Sequence, residues 1–462
     1  MTIWPPERSS LTRPAYRSLA QALMKAIEAG EVRPGDRLPT HRELAWQLGL
    51  SVQTIGRAYE ELTRLDVIAG EVGRGTFVRA GPVETRTPWQ RLVDSDHVID
   101  CSMLKPVGAE IHAERLRMTL AEMSQDLPPD VMFSFRPRAS LKRHREASVR
   151  WLERCGLSVP PDRVLPTNGN TAAMTVALMT AAAPGDLVVT EELGHHTLPP
   201  LARYLGLRLA GLPVDREGVL PEAFEHACVS GAVKVLYIVP NGLNPLALSM
   251  GAERRAALVE LARRHDVMIL ENDAGGPLQP ARPRPIAMLA PERTFYFTGF
   301  SKCLLPGLRL AYLVVPETLV SAASARHLVT NWMATGMVAE IATRWILSGT
   351  ATELLDWQKA ALARRNRMAA QALRGLDPVA TPNGLHVWLP LPEPWEAGAF
   401  VNLARLHGVA VAAGSSFAIG EPPRHRGVRI CLGAASDDAV AQGLEILARL
   451  ARNRPEQDLL AV

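Results

Sequence analysis

Thr298-Gly299-Phe300-Ser301-Lys302-Cys303-Leu304-Leu305-Pro306-Gly307-Leu308-Arg309 lies between two apolar runs, residues 294–297 and 310–315. It therefore reads as a loop joining two buried strands. One lysine stands among small and hydroxyl residues, an arginine follows seven positions later, and Pro306-Gly307 bends the chain between them. A lysine beside apolar walls deprotonates more readily, which a Schiff base to an aldehyde requires. The hydroxyls and the arginine suit a phosphate. A solvated loop lysine is the plain alternative, and this stretch alone does not choose between them.

The stretch resembles the S-K-x-x-x-P-G-x-R signature of fold-type I pyridoxal-phosphate enzymes, and the rest of the chain tests that resemblance. Its 462 residues have room for one large domain and a small one, or for two to three ordinary domains. With 47% hydrophobic and 21% charged residues, the composition is that of a globular protein and excludes a chain that is half disordered. No apolar run reaches membrane-spanning length, and the opening Met1-Thr2-Ile3-Trp4-Pro5-Pro6-Glu7-Arg8 does not read as a signal peptide. Five scattered cysteines without a CxxC pair argue for a reducing cytoplasm and against structural zinc. A net charge of +4 is too mild to establish nucleic-acid binding.

The first eighty residues carry a different pattern. Tyr16, Leu19, Leu23 and Ile27 recur at helical spacing within residues 13–29. Thr40-His41-Arg42-Glu43 is a capping box that opens a second helix, stopped by Gly49. Ser51 then caps a third helix over residues 52–64, with Ile55, Ala58, Tyr59 and Leu62 on its inner face. Two short helices joined by a tight turn are a helix-turn-helix, and the outer side of the third offers Gln53, Thr54 and Arg57 to base edges or phosphates. Strands are expected at residues 67–69 and 76–78, around an arginine between glycines (Gly73-Arg74-Gly75) at a hairpin tip, which suits a wing. A plain three-helix subdomain with solvated charges is the alternative. Eleven Lys plus Arg against nine Asp plus Glu in this segment hardly decide it.

The order of residues decides it better. Pro34-Gly35-Asp36-Arg37-Leu38-Pro39-Thr40-His41-Arg42-Glu43-Leu44-Ala45, Ala58-Tyr59 and Gly73-Arg74-Gly75-Thr76-Phe77-Val78 resemble the GntR-type winged helix. The resemblance implies that Arg37, Thr40 and Arg42 hold phosphates while the third helix enters the major groove of an operator. Ser51-Val52 departs from the family's common Ser-Arg, so one contact is in doubt. The expected domains are 1–80 for this head, 81–95 for a short semi-stiff linker, and 96–462 for the remainder.

That remainder alternates apolar runs (187–190, 233–239, 267–270, 294–297, 310–315) with amphipathic helices such as 252–265. The pattern is α/β, a mainly parallel sheet covered on both faces, with ligands expected at the strands' carboxyl ends. Polar groups fall there repeatedly. Gly169-Asn170-Thr171 opens a helix; Asn244-Pro245 follows a strand; Arg429 sits within an apolar run and needs an anionic partner, either a ligand carboxylate or a structural acid. Taken singly, the first two are an ordinary N-cap and an ordinary turn.

In this order with Lys302, the signals resemble the class I/II aminotransferase fold over residues from about 95 to 450. With the head attached, the chain resembles the MocR subgroup of GntR regulators. The resemblance implies pyridoxal 5'-phosphate held as an internal aldimine at Lys302. Its phosphate would fall to Gly169, Asn170, Thr171, Ser301 and Arg309, and its ring 3-oxygen to Asn244. Arg429 would clamp the carboxylate of an amino-acid ligand. It also implies a homodimer, compatible with a head-to-tail exchange. Within the subgroup the chain resembles members controlling ectoine and hydroxyectoine utilisation, a resemblance that implies a diaminobutyrate-type ligand. Regulators of aminobutyrate, taurine and pyridoxal synthesis share the same framework.

Three positions depart from working aminotransferases. Glu271-Asn272-Asp273-Ala274-Gly275 places Asn272 where an Asp holds the pyridine-nitrogen proton, and Gly275 where a Tyr follows. An amide stabilises a pyridinium poorly. The register is open by one, and only one of Asn272 and Asp273 can face the ring. His195 stands where relatives place a stacking Tyr; it stacks more weakly and is expected to titrate near neutral pH, unless His195-His196 is simply an exposed loop pair. Three readings follow: a regulator sensing an amine, an aminotransferase with a DNA-binding head, or a cofactor-free DNA-binding dimer with a vestigial domain.

Overall fold

The computed structural model describes residues 4–6, 8–12, 14–28, 31–33, 35–64, 67–71, 75–78, 98–133, 137–279, 281–420, 425–433 and 436–453. The chain divides into two compact units, Met1–Leu92 and Val93–Val462. The linker expected at 81–95 lies outside the described residues.

The first unit holds helices Ala15–Glu28, His41–Leu48 and Val52–Arg64. The capping box forms as its residue types require. Glu43 N–H donates to Thr40 Oγ1 at 3.3 Å, and Thr40 N–H donates to a Glu43 carboxylate oxygen at 2.8 Å. Gly49 ends that helix at φ +60, a conformation that favours glycine. Ser51 Oγ accepts from Thr54 N–H at 3.1 Å and starts the third helix. Leu19, Leu23, Leu44, Ile55, Ala58 and Leu62 are fully buried and form the core. Strands Ile68–Glu71 and Gly75–Val78 pair antiparallel. A third strand, Arg37–Leu38, was not anticipated; it pairs with the far side of Gly75–Val78, Arg37 opposite Phe77. Two residues are too short for periodicity to reveal, and only the tertiary pairing defines them.

The second unit is built on a seven-stranded sheet. In spatial order its strands are Val164–Thr167, Ala311–Val314, Thr294–Gly299, Met268–Asn272, Val233–Ile238, Leu187–Glu191 and Arg208–Leu212. Ala311–Val314 runs antiparallel to both neighbours, and the other pairs are parallel. Both faces are covered, so side chains alternate between two apolar layers. Phe295 and Phe297 join one core cluster and Tyr296 the other. A smaller antiparallel sheet, ordered Val379–Ala380, His386–Pro390, Gly427–Cys431 and Ala412–Ala413, carries His386 and Arg429. Helices Thr350–Ala372 and Asp437–Arg452 bury Leu354, Leu355, Leu444 and Leu447 in the largest cluster. Each such side chain contributes on the order of 1.5–3 kcal/mol.

Candidate functional site

A cavity of about 300 Å³ opens at the carboxyl ends of the central strands, where an α/β sheet collects its ligands. Five of the strands deliver groups to it, four from the loop that follows and one from its last residue. Asn170 and Thr171 come after Val164–Thr167, His195 after Leu187–Glu191, and Asn244 after Val233–Ile238. Asn272 ends its own strand, while Ser301, Lys302 and Arg309 follow Thr294–Gly299. Gly169 caps the helix Asn170–Ala181 beside them.

Lys302 is half-buried, and its Nζ donates to the Leu104 carbonyl. Burial draws its pKa down from 10.5 to about 8, helped by the positive charges of Arg429 and Arg309 and opposed by Cys431. A larger share of amine is then free to act as a nucleophile near neutral pH.

Gly169 has φ +86 and Arg309 φ +43. A Cβ on Gly169 would lie 2.9 Å from an Arg309 guanidinium nitrogen, so the backbone and the arginine share space that only glycine leaves open. Arg309 Nη1 donates to Ser301 Oγ at 3.3 Å. Beside them the helix Asn170–Ala181 begins, and its first N–H groups lack helical acceptors. Asn170 Oδ1 is buried with no hydrogen-bond partner among the described residues. A guanidinium, a hydroxyl, a helix N-terminus and a depressed lysine around one hollow fit pyridoxal 5'-phosphate.

Asn272 and Asp273 point to opposite sides of the sheet, as the pleat demands. Asn272 lines the cavity; its Nδ2 donates to the Tyr237 hydroxyl at 2.6 Å, and its Oδ1 accepts from Asn170 Nδ2 at 3.5 Å. Asp273 turns away, where it pairs with Arg282 and accepts from the Tyr296 hydroxyl at 2.5 Å and Asn241 Nδ2 at 3.2 Å. No carboxylate therefore stands in Asn272's place on the cavity wall. At Gly275, also on the wall, a built Cβ meets nothing within 4 Å, so the space a larger side chain would fill is open.

His195 and His196 are half-buried and stacked, with centroids 4.8 Å apart at 13°. The His195 Nδ1 meets Thr197 Oγ1 at 2.8 Å. Burial first, then the neighbouring His196 and Lys302, lowers His195 to about 3; burial, Arg429 and Lys302 lower His196 to about 4. Both expectations for this pair are corrected. The rings are not an exposed loop pair, and they are uncharged near neutral pH because burial and adjacent cations oppose protonation.

Arg429 is 4% exposed and is not among the side chains on the cavity wall. It reaches the wall through Asn244, donating from Nη1 to Asn244 Oδ1 at 2.9 Å, and from Nη2 to the Ser102 carbonyl. Its plane lies over Phe417 at 4.7 Å, and its Nε has no hydrogen-bond partner among the described residues. Among the described residues no carboxylate pairs with it, so of the two partners left open by the sequence these residues supply no structural acid. Sequence reading also missed His386, buried on the wall, and Tyr237, buried behind Asn272. They lie inside strands Val233–Ile238 and His386–Pro390, and apolar periodicity hid them.

In the first unit, Arg37, Arg42, Gln53 and Arg57 are exposed. The Arg37 guanidinium lies against Gly75, and Arg57 lies over the Tyr16 ring at 5.7 Å. Thr40 and Thr54 use their hydroxyl oxygens locally, Thr54 with Ser51 Oγ at 2.8 Å. Arg74 is outside the described residues.

A profile described as aminotransferase class I and II matches residues 131–447, and one described as bacterial regulatory proteins, gntR family, matches residues 15–78. The uncharacterized HTH-type transcriptional regulator YdeF of Bacillus subtilis is 29% identical over 452 residues, 97% of this chain and 96% of its own. The HTH-type pyridoxine biosynthesis transcriptional regulator PdxR of Corynebacterium glutamicum is 27% identical over 311 residues, 64% of this chain and 65% of its own. Among solved structures, the kynurenine aminotransferase of Pyrococcus horikoshii aligns with a TM-score of 0.72 at 23% identity. That alignment covers 81% of this chain and 95% of the other, a likeness of fold alone. The chain belongs to the aminotransferase class I and II family and, with a gntR-family domain ahead of it, has the two-part build of the MocR subgroup of GntR-type regulators.

Proposed function

We infer that the protein is a DNA-binding transcriptional regulator whose second unit senses an amino-acid-type ligand through pyridoxal 5'-phosphate. The observation that carries this reading is Asn272. The groups for holding the cofactor surround one cavity, but an amide stands where a carboxylate is needed for carbanion chemistry. When bound, pyridoxal phosphate supplies an aldehyde carbon that exchanges one amine for another. Lys302 contributes the resident amine, and its low pKa eases both attachment and displacement. Arg309, Ser301, Gly169, Asn170 and Thr171 hold the phosphate. Asn272 and Asn244 orient the ring, and His195 covers it. Arg429, fixed by Phe417 and Asn244, receives a carboxylate. Displacing Lys302 shifts the balance between protein states that differ in operator affinity.

Arg37, Thr40, Arg42, Gln53, Thr54, Arg57 and Arg74 are the proposed contacts to a double-stranded DNA operator. A single winged helix reads one half-site, so we propose a homodimer. Exposed Phe133 and Met337 support it: they lie on segments that touch through Val131 and Gly336, and Val329 on the preceding helix is exposed as well. No helix among the described residues is long and apolar enough to cross a membrane, and the proposed location is the cytoplasm.

The test is a titration of amino acids against the visible spectrum of the holoprotein and its operator affinity, beside Lys302→Ala. The reading expects coupled changes that the variant loses. Sustained keto-acid formation from ordinary amino donors would instead make the chain an aminotransferase with a DNA-binding head. Absence of visible absorbance would leave a cofactor-free DNA binder.

A further inference from the structure

The first unit carries a specificity determinant at the start of its third helix. Ser51 caps that helix, so Val52 and Gln53 occupy its first turn, and both are exposed, Val52 at 49%. The Thr54 hydroxyl is held by Ser51 Oγ at 2.8 Å. One exposed valine on a surface is ordinary. Gly56 is not. It stands four residues on, stacked on the same side of the helix as Val52. Glycine is the least favourable residue in a helix interior after proline. Nothing inside the unit calls for it here: Gly56 has no positive φ, and a built Cβ meets nothing within 4 Å among the described residues. Ile55, Ala58, Tyr59 and Leu62 form the buried side of the helix, so the strip from Val52 to Gly56 lies outside the core. Its reason is to be sought in what the helix meets.

A helix that enters the major groove sets its N-terminal residues against base edges. Valine makes no hydrogen bond there, and the one apolar group on those edges is the thymine 5-methyl. We propose that Val52 reads a thymine in each half-site through that methyl group, and that the bare backbone at Gly56 lets the helix close on the same base pair. This rests on the DNA-binding reading of the first unit and sets one position of its operator. An arginine in place of Val52 would favour guanine, whose edge offers only hydrogen-bond acceptors; valine forgoes that contact and selects thymine.

The experiment uses the full-length protein and starts by selecting its preferred duplex from a random-sequence pool. Each thymine of that duplex is then replaced by uracil, which removes only the 5-methyl group, and affinity is read by fluorescence anisotropy. One thymine per half-site is expected to be sensitive, with binding weakened about fourfold by one replacement and about 15-fold by both. Val52→Ser should bring that sensitivity below about twofold. Gly56→Ala should raise the thermal stability of the protein yet weaken the selected duplex more than about twofold, a combination that a glycine needed only for folding does not give. If no uracil replacement weakens binding by more than about twofold, the proposal is overturned and the DNA-binding reading stands. Sensitivity that stays above about twofold in Val52→Ser overturns it as well, and Gly56→Ala binding within about twofold of the unaltered protein removes the role given to Gly56. A pool that yields no enriched sequence overturns the DNA-binding reading and this proposal together.

Discussion

Asn272 donates to the Tyr237 hydroxyl across 2.6 Å, so the amide on the cavity wall is locked with its nitrogen toward the tyrosine. Replacing it with a carboxylate needs little rearrangement, because the tyrosine can then donate. Asn272→Asp is expected to raise the rate of amino-group transfer from a bound amino acid by at least about tenfold, through charge stabilisation of the protonated ring nitrogen. Single-turnover spectroscopy measures it. An unchanged rate would mean that the amide is not what limits turnover. Tyr237→Phe strands the buried amide N–H and is expected to cost about 1–3 kcal/mol of stability, read by thermal unfolding.

Lys302 should make cofactor capture pH-dependent. At pH 7 roughly one molecule in ten has the free amine if the pKa is about 8, against roughly one in three thousand at 10.5. Capture of pyridoxal phosphate by the apoprotein should rise about tenfold from pH 7 to a plateau above about pH 9. The sign for stability follows from the same shift. A lysine depressed in the fold contributes its stability above its unfolded pKa and loses it as pH falls through about 8. Lys302→Met should therefore stabilise the apoprotein most below pH 8 and not at all above about 10.5. A profile still climbing past pH 9.5 would place the pKa elsewhere.

Arg429 tests carboxylate recognition. Its guanidinium is preoriented by Asn244 and Phe417, a geometry an ammonium cannot reproduce. Arg429→Lys should weaken amino-acid ligands by about 10- to 100-fold while simple amines without a carboxylate are little changed. Equal losses for both would point to a structural role instead.

Gly169 tests the phosphate cradle. Gly169→Ala forces a side chain to φ +86 and sets its Cβ 2.9 Å from Arg309. The expected penalty is about 1–2 kcal/mol in stability, with weakened cofactor retention on dialysis. Full retention would show that Arg309 moves aside without consequence.

The head has its own test in Thr40, whose hydroxyl oxygen closes the capping box. Thr40→Ala should cost about 1 kcal/mol and lower operator affinity, leaving the cofactor spectrum unchanged. Fluorescence anisotropy on labelled operator and the visible spectrum separate the two units. Loss of the spectrum with the affinity would mean that the substitution disturbs more than the cap of the first unit.

Much of this was legible before the fold was known. Thr40 through Glu43 state a helix start in residue types, and Ile55, Ala58, Tyr59 and Leu62 state which face of the next helix is buried. The alternation of apolar runs and helices gave the layered sheet, and the run from Ser301 to Arg309 marked the loop where its chemistry gathers. These signals are local, because caps, periodicity and turn residues act within a few positions of themselves.

Other features were decided only by distant parts of the chain. Whether Asn272 or Asp273 faces the cavity depends on pleat parity against the layer containing the helix Asn170–Ala181. The low pKa of Lys302 and the uncharged state of His195 come first from burial, and for Lys302 also from the distant Arg429, neither of which the sequence shows. The strand Arg37–Leu38 exists because Phe77 and Thr76 pair with it. Local residue patterns mark most of the elements and the types of group at their ends; orientation, desolvation and charge follow from what packs across space, which no local pattern carries.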